Sequence, residues 1–155
     1  MLSRVADSLF WMSRYMERSD GMIRMLKVNY ASSQESLVLS VNGNSRRALQ
    51  HMVSDRDNPT SIINNIIRAR ENARSAQDHI TKELWQCLNE FYHYVKKENL
   101  KELLEVEDPI TVLDNLTRYC VLFYGTIDMT MIRGEGYSFM CIGKFIELSL
   151  QVTNI

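Results

Sequence analysis

The chain has 155 residues, of which 45% are hydrophobic and 24% are charged, and these proportions are those of an ordinary globular domain. Its 18 lysines and arginines nearly cancel its 19 aspartates and glutamates, which leaves a net charge of −1 and predicts neither nucleic acid nor a membrane surface as a partner. Only 6 glycines and 2 prolines interrupt the sequence. Because a many-stranded sheet needs more turns than these provide, residues 1–155 are expected to form a single helical domain.

The cysteines and the apolar segments predict the compartment. Cys87, Cys120 and Cys141 are odd in number and form no Cys-x-x-Cys pair, which is typical of reduced thiols in a cytoplasmic protein. Asp7 interrupts the apolar N-terminus where a secretory signal would need a continuous apolar run. The longest apolar stretch, residues 120–124, is far shorter than the roughly 20 residues of a membrane span. We therefore expect a cytoplasmic protein without a membrane segment.

A long first helix is predicted over residues 2–30, because apolar side chains recur there at spacings of three and four. A second face of the same segment carries Trp11, Tyr15 and further apolar side chains. A helix that is apolar on two sides is expected at the centre of its bundle.

The middle of the chain predicts a weak connection followed by a second long helix. Residues 32–58 are expected to be partly irregular, with a turn at residues 42–44 and a short helix over residues 45–53. Thr60 or Ser61 is a plausible N-cap, and an apolar stripe continues without interruption through residues 62–95. This stripe predicts one continuous helix.

Two further helices are predicted in the last third of the chain. Residues 96–107 are predicted to form either a short amphipathic helix or a continuation of the preceding helix that ends before Asp108. Asp108 followed by Pro109 is a strong start for a third long helix. The Gly-Glu-Gly segment at 134–136 is expected to stop that helix, and a fourth begins near Tyr137. Because the fourth is still apolar where the sequence ends, another surface is expected to cover it. The predicted fold is an all-α bundle of long antiparallel helices.

An internal repeat relates the first and the fourth helix. Residues 8–19 and 138–149 preserve residue class at most positions, in the order small, apolar, basic, aromatic, apolar and acidic. The arginine that follows the glutamate of the first copy is replaced by Leu148 in the second. Residues 137–155 are therefore interpreted as the start of a second, truncated Glu-Arg repeat.

Five sequence blocks carry a resemblance to a known family: residues 1–11, 14–18, 69–74, 83–85 and 131–137. On these blocks the chain resembles the N-terminal half of the bacterial Alpha-E domain, a helical domain of unknown function named for a Glu-Arg motif. Relatives of that family tend to be encoded beside ATP-grasp-like and transglutaminase-like proteins. The resemblance thus implies a protein partner of the ATP-grasp-like class in a peptide-ligation or peptide-modification system, and it assigns no reaction to this chain.

The charged residues of the first two long helices predict a layer between them, in which carboxylates and guanidinium groups meet. One interpretation is a buried ion network that fixes the register of the helices. The other is a pocket whose surplus arginines bind a phosphate or carboxylate of a nucleotide or peptide, with a glutamate as general base. The predicted layer contains Arg14, Glu17, Arg18, Arg70, Glu71 and Arg74, and Arg133 and Glu135 are possible additional members.

No metal site and no cofactor are predicted. Glu90 and His93 have the Glu-x-x-His spacing of di-iron bundles, but those sites need two such motifs and this sequence has one. The two glycines at 134 and 136 follow a helix rather than a strand, so they indicate a turn rather than a phosphate-binding loop.

The sequence favours a non-catalytic helical interaction or scaffold module over an enzyme. In the alternative, an enzyme or ligand-binding protein uses the arginines and glutamates as a pocket for a phosphate- or carboxylate-bearing substrate. A homodimer is also predicted, in which a second protomer covers the apolar fourth helix.

Overall fold

The computed structural model describes residues 1–36, 42–97 and 100–153, and within these ranges the chain is all-α, as predicted, with no strand. A short 3₁₀ helix at Gln77–His79 lies between the third and fourth α-helices. Among the described residues, no helix carries an apolar stretch of the length that crossing a bilayer requires. The α-helices are α1 (Ser3–Ser36), α2 (Asn42–Val53), α3 (Ile62–Ser75), α4 (Lys82–Lys97), α5 (Leu100–Val106), α6 (Pro109–Thr130) and α7 (Glu135–Thr153).

The helix α1 is the centre of the bundle and packs against α3, α6 and α7. It has 34 residues and is therefore about 51 Å long. The predicted stripe is buried: Leu9, Met12 and Met16 have no exposed surface. Leu2 departs from the prediction and is 72% exposed, because it precedes the first helical residue.

The predicted turn at residues 42–44 is wrong, because these residues already belong to α2. The short helix predicted for residues 45–53 is confirmed and starts three residues earlier. Leu49 and Val53 bury the apolar side of α2, and Arg46 Nη1 donates to the Leu104 carbonyl of α5 at 3.0 Å. Packing against α5 thus outweighs the local turn preference of Asn and Gly. Part of the predicted irregular connection, residues 37–41, lies outside the described residues.

The single helix predicted over residues 62–95 is also wrong, because the chain breaks between α3 and α4. Ile80 is extended, with φ −118° and ψ 160°, and the Thr81 hydroxyl accepts the Leu84 N–H at 3.2 Å, which starts α4 as an N-cap does. Ala76 and Leu84 are both buried on the two sides of the break. The helical spacing of apolar residues therefore continues across the break, so that spacing alone does not predict where α3 ends and α4 begins.

The start of α6 is confirmed and its predicted end is not. The Asp108 carboxylate accepts the Ile110 N–H at 3.1 Å, with Pro109 in the first turn. The helix ends at Thr130, since Met131 is extended with φ −80° and ψ 132°. Glu135 and Gly136, which were predicted to stop it, instead form the first turn of α7.

Candidate functional site

The two copies of the repeat pack directly against each other. Ser13 lies against Gly143 and Gly21 lies against Gln151; each pair is 130 positions apart, which is also the offset between the copies. Because equivalent residues lie side by side, α7 runs parallel to α1. The sequence predicted antiparallel helices throughout, and the α1/α7 pair is an exception. The glycines at 21 and 143 let these two helices pack in register.

Gly143 sets how closely α7 approaches α1. A Cβ atom at this position would overlap the backbone carbonyl oxygen of Phe10 and would lie 3.3 Å from Cβ of Ser13. A side chain here would therefore push the helices apart. The close approach brings the charged side chains of the two copies within hydrogen-bonding distance.

Glu147 of α7 binds two arginines of α1. Its Oε1 accepts from Arg18 Nε at 2.9 Å, and its Oε2 accepts from Arg18 Nη2 at 3.1 Å, so this pair is bidentate. The same Oε2 also accepts from Arg14 Nε at 3.1 Å. The guanidinium of Arg14 stacks on the ring of Trp11 at 4.7 Å, and that of Arg18 on Tyr15 at 5.5 Å. Each arginine is thus held both by a carboxylate and by an aromatic ring.

Ionisation of Glu147 depends on these arginines. Its side chain is buried, and burial alone would raise the pKa of the carboxyl. Hydrogen bonds and positive charge from Arg18, and then from Arg14, outweigh this effect and hold the pKa of Glu147 below its usual value. Glu147 is therefore ionised at neutral pH, and the cluster of Arg14, Arg18 and Glu147 is a compact ion network.

Glu17, the counterpart of Glu147 in the first copy, has a different environment. It is buried, and its carboxylate accepts a hydrogen bond from the Tyr124 hydroxyl of α6. Burial raises the pKa of Glu17, the Tyr124 hydrogen bond works against that rise, and the nearby Asp20 adds to it. The charge of Lys144, whose Nζ lies 4.3 Å from the centre of the Tyr124 ring, lowers it.

The structure does not join Glu17 to Arg14 or Arg18 as the sequence predicted. Arg14 and Arg18 are one turn apart on the same face of α1, whereas Glu17 is about 100° around the helix from Arg18. That rotation directs Glu17 toward α6 and leaves both arginines to Glu147.

We expect Glu17→Gln to change the stability at neutral pH by no more than about 1 kcal/mol, because glutamine can still accept from Tyr124 and carries no charge to bury. Because burial raises the pKa of Glu17, the folded state favours its protonated form, and the stability of the parent is highest below the ordinary value of 4.5 and falls as the pH rises through the raised value. The stability of Glu17→Gln relative to the parent should therefore improve as the pH rises, which denaturant unfolding across the acid range measures. A loss of about 3 kcal/mol at neutral pH would contradict this and would make Glu17 the partner of buried arginines.

The remaining members of the predicted layer lie elsewhere. Arg70 of α3 stacks on Trp85 and Tyr92 of α4, at 5.3 and 4.5 Å. It also forms an ion pair with Glu71 at 3.1 Å. Arg74 is exposed and has no ion pair within the described part of the chain. Because the face of α3 that meets α1 is filled by apolar side chains, these residues face α4 or solvent and do not form one layer with α1.

The two possible additional members are also separate from the α1/α7 network. Arg133 donates to the Asp128 carbonyl at 3.0 Å and to the Ile127 carbonyl at 3.5 Å, so it satisfies the last carbonyl groups of α6. Glu135 lies 3.3 Å from the terminal amine of Met1. Both residues stabilise helix ends.

Comparison with known proteins gives one match. The model of a family described as a predicted alpha-helical domain with a conserved ER motif, Alpha-E, matches residues 1–155. The chain belongs to the Alpha-E family. No curated protein and no solved structure matches it.

The geometry gives the Glu-Arg dipeptide of this Alpha-E domain a physical meaning. The chain has one such dipeptide, Glu17-Arg18, and its two side chains face different neighbours. Arg18 binds Glu147 of α7, and Glu17 binds Tyr124 of α6. The dipeptide therefore connects α1 to two other helices at the same level of the bundle.

Sequence reasoning missed three polar residues of this Alpha-E site: Tyr124, Lys144 and Glu147. The repeat aligns Glu147 with Glu17, and that alignment could have identified it as a second acidic member. No comparable signal marks Tyr124, which lies within an apolar run of α6. Among residues 1–36, 42–97 and 100–153, no group of three or more His, Cys, Asp or Glu side chains could hold a metal ion.

Proposed function

We propose that this Alpha-E domain is a non-catalytic helical interaction module, and that its Glu-Arg network positions α7 for binding. The observation that carries the proposal is an apolar stripe on α7 that is left uncovered. The stripe consists of Ile142, Ile146 and Leu150, which are 48%, 40% and 45% exposed, and it continues at its N-terminal end into Phe139, which is partly buried against the core. Apolar patches of this kind on soluble proteins mark interaction surfaces.

The internal repeat indicates that this stripe is a surface that packs against another helix. Ile142 and Ile146 occupy the positions that Met12 and Met16 occupy in the first copy. Both methionines are fully buried where α1 packs into the bundle. In the described chain, α7 packs along α1 and has no comparable contact with another helix. The same face is thus covered in α1 and free in α7.

The charged residues favour an architectural role for the motif over an anion pocket. Arg14 and Arg18 are satisfied by Glu147 and by aromatic rings. Arg70 is held by Glu71, Trp85 and Tyr92. An anionic substrate would have to displace these partners, which costs the interactions they already make.

We propose a second copy of the chain as the occupant of the α7 stripe. Between residues 138 and 153 the charged residues are Lys144 and Glu147, and both are turned toward α1 and α6. Because the stripe carries no charge, two copies related by a two-fold axis can bury it against each other without leaving a charge unpaired.

Light scattering over a range of concentrations tests this pairing. We expect the parent to be a dimer and Ile146→Asp to be monomeric, because the substitution places a charge in the centre of the interface. Val28→Asp is the matched control: Val28 is an exposed α1 residue outside the stripe, and this variant should remain dimeric. A parent that is monomeric at every concentration would contradict self-association.

A finer part of the proposal concerns the system in which the module works. The resemblance supports a role beside ATP-grasp-like and transglutaminase-like proteins in peptide ligation or modification. The test is direct binding between the purified domain and a purified ATP-grasp-like protein from the same genome, with Ile146→Asp as the comparison. If light scattering finds the parent to be monomeric, binding that Ile146→Asp abolishes and Val28→Asp preserves would make the partner, rather than a second copy, the occupant of the α7 stripe.

A further inference from the structure

A cavity remote from the α1/α7 pair is lined mainly by cationic and polar side chains. It has a volume of about 440 Å³ and lies where the end of α2 and the segment after it meet α5. Its lining residues are Arg47, Gln50, His51, Ser54, Asp55, Arg56 and Lys101.

The walls of this cleft are held together by hydrogen bonds between α2 and α5. Arg46 Nη1 donates to the Leu104 and Glu105 carbonyls at 3.0 and 3.3 Å. Gln50 Nε2 donates to the Lys101 carbonyl at 3.3 Å and to Glu105 Oε1 at 3.3 Å. Arg46 is therefore used for packing. Its neighbour Arg47 lies about 100° further around the helix and faces the cleft instead.

The cations of this cleft lack acidic partners. Arg47, Arg56 and Lys101 form no ion pair within the described part of the chain, although the chain as a whole has slightly more acidic than basic residues. Positive groups gathered around one cavity repel one another unless an anion lies between them. A negatively charged ligand bound among these exposed side chains would relieve that repulsion.

The single carboxylate that lines the cleft is already engaged. Asp55 accepts the Asp57 N–H at 2.9 Å and lies 2.8 Å from His51 Nδ1. The backbone N–H of Asp57, and then His51, hold the pKa of Asp55 below its usual value, so it is ionised at neutral pH. The Asp55 carboxylate fixes the orientation of the imidazole and leaves Nε2 of His51 as the nitrogen available to a ligand.

We propose that this cleft binds the phosphate group of a small ligand, with Arg47, Arg56 and Lys101 as its cations. When the His51 ring carries a proton on both nitrogens, Nδ1 donates to Asp55 and Nε2 donates to the phosphate. A phosphate is favoured over a carboxylate because it carries up to two charges on tetrahedrally arranged oxygens, which can engage several cations from different directions. The site is independent of the proposed function, since neither α2 nor α5 forms a major contact with α7.

Imidazole resonances in NMR spectra test the site directly. Inorganic phosphate and pyrophosphate are titrated into the protein at low ionic strength, where surface electrostatic interactions are least screened. We expect saturable shifts of the His51 resonances, whereas those of His79 and His93 stay in place. Tighter binding of pyrophosphate would indicate a diphosphate-bearing ligand, and equal binding a single phosphate group. No shift of His51, or the same shift with chloride at matched ionic strength, would overturn the proposal.

A double variant distinguishes specific phosphate binding in the cleft from general attraction of anions to the protein surface. Arg47→Gln combined with Arg56→Gln should weaken phosphate binding by about tenfold or more. Arg74→Gln, which removes one exposed charge on α3, is the control for a change of surface charge, and the parent with added chloride is the control for ionic strength. Circular dichroism establishes that each variant is folded. Equal affinity in the double variant and in Arg74→Gln would overturn the proposal.

Discussion

Glu147→Gln is expected to lower the free energy of unfolding by about 3 kcal/mol, because it removes the carboxylate that compensates two partly buried arginines. Arg14 and Arg18 retain some contact with solvent, with 15% and 30% of their side chains exposed, which places the loss at the lower end of the range for a broken buried ion pair. For a chain of this size the melting temperature should fall by about 6 to 12 °C. Thermal unfolding followed by circular dichroism measures this change.

The pH dependence of the Glu147 variant identifies the cause of the loss. Because the folded-state pKa of Glu147 is lowered, its ionisation stabilises the protein above the ordinary value of 4.5, and this stabilisation is lost as the pH falls through the lowered value. The difference from the parent should therefore shrink toward low pH. Glu90→Gln, an exposed glutamate of α4, is the control and should be nearly neutral. A loss that is independent of pH would contradict an electrostatic origin.

Gly143→Ala is expected to destabilise the protein by about 1 to 3 kcal/mol, as overpacking of a close contact does. The new Cβ would overlap the Phe10 carbonyl oxygen, a backbone atom that cannot turn aside as a side chain can. The resulting separation of α7 from α1 should also weaken the bonds from Arg14 and Arg18 to Glu147. The free energy of unfolding in urea measures the effect.

Gly125→Ala is the matched comparison for this substitution. Gly125 lies inside α6, and nothing stands within 4 Å of a Cβ placed there. Alanine should therefore stabilise the protein by about 0.5 to 1 kcal/mol through its higher helix propensity. The same substitution is thus expected to lower the free energy of unfolding at Gly143 and to raise it at Gly125. Stabilisation at both positions would show that α7 does not approach α1 as closely as the structure has it.

Helix type and helix faces could be predicted from the sequence, and helix breaks could not. The stripe through Leu9, Met12 and Met16 gave α1 and its buried face, because burial and the helical period act on the same residues. The break before Thr81 escaped prediction, since Ala76 and Leu84 keep the helical spacing on its two sides. Tertiary packing also made residues 42–44 helical against their local preference.

The sequence predicted which residues of α1 belong to the candidate site, but it did not predict their partners on other helices. Arg14, Glu17 and Arg18 do lie together on α1, but their partners are Glu147 and Tyr124 on α7 and α6 rather than Arg70 and Glu71 on α3. Spacing within one helix shows which side chains share a face. It contains no information on which other helix that face meets, and a parallel α1/α7 pair is a property of the whole topology.

The contact between α1 and α7 has a consequence for the order of folding. Its hydrogen bonds join residues 129 to 134 positions apart in sequence, so in an unfolded chain they would close a very long loop and order most of the backbone for few bonds. Once α3 and α6 have packed on α1, that entropy has already been lost and the loop is short in space. We therefore expect the arginines of the motif to gain Glu147 late, so that the ion network strengthens a bundle that apolar contacts of shorter sequence separation have assembled first.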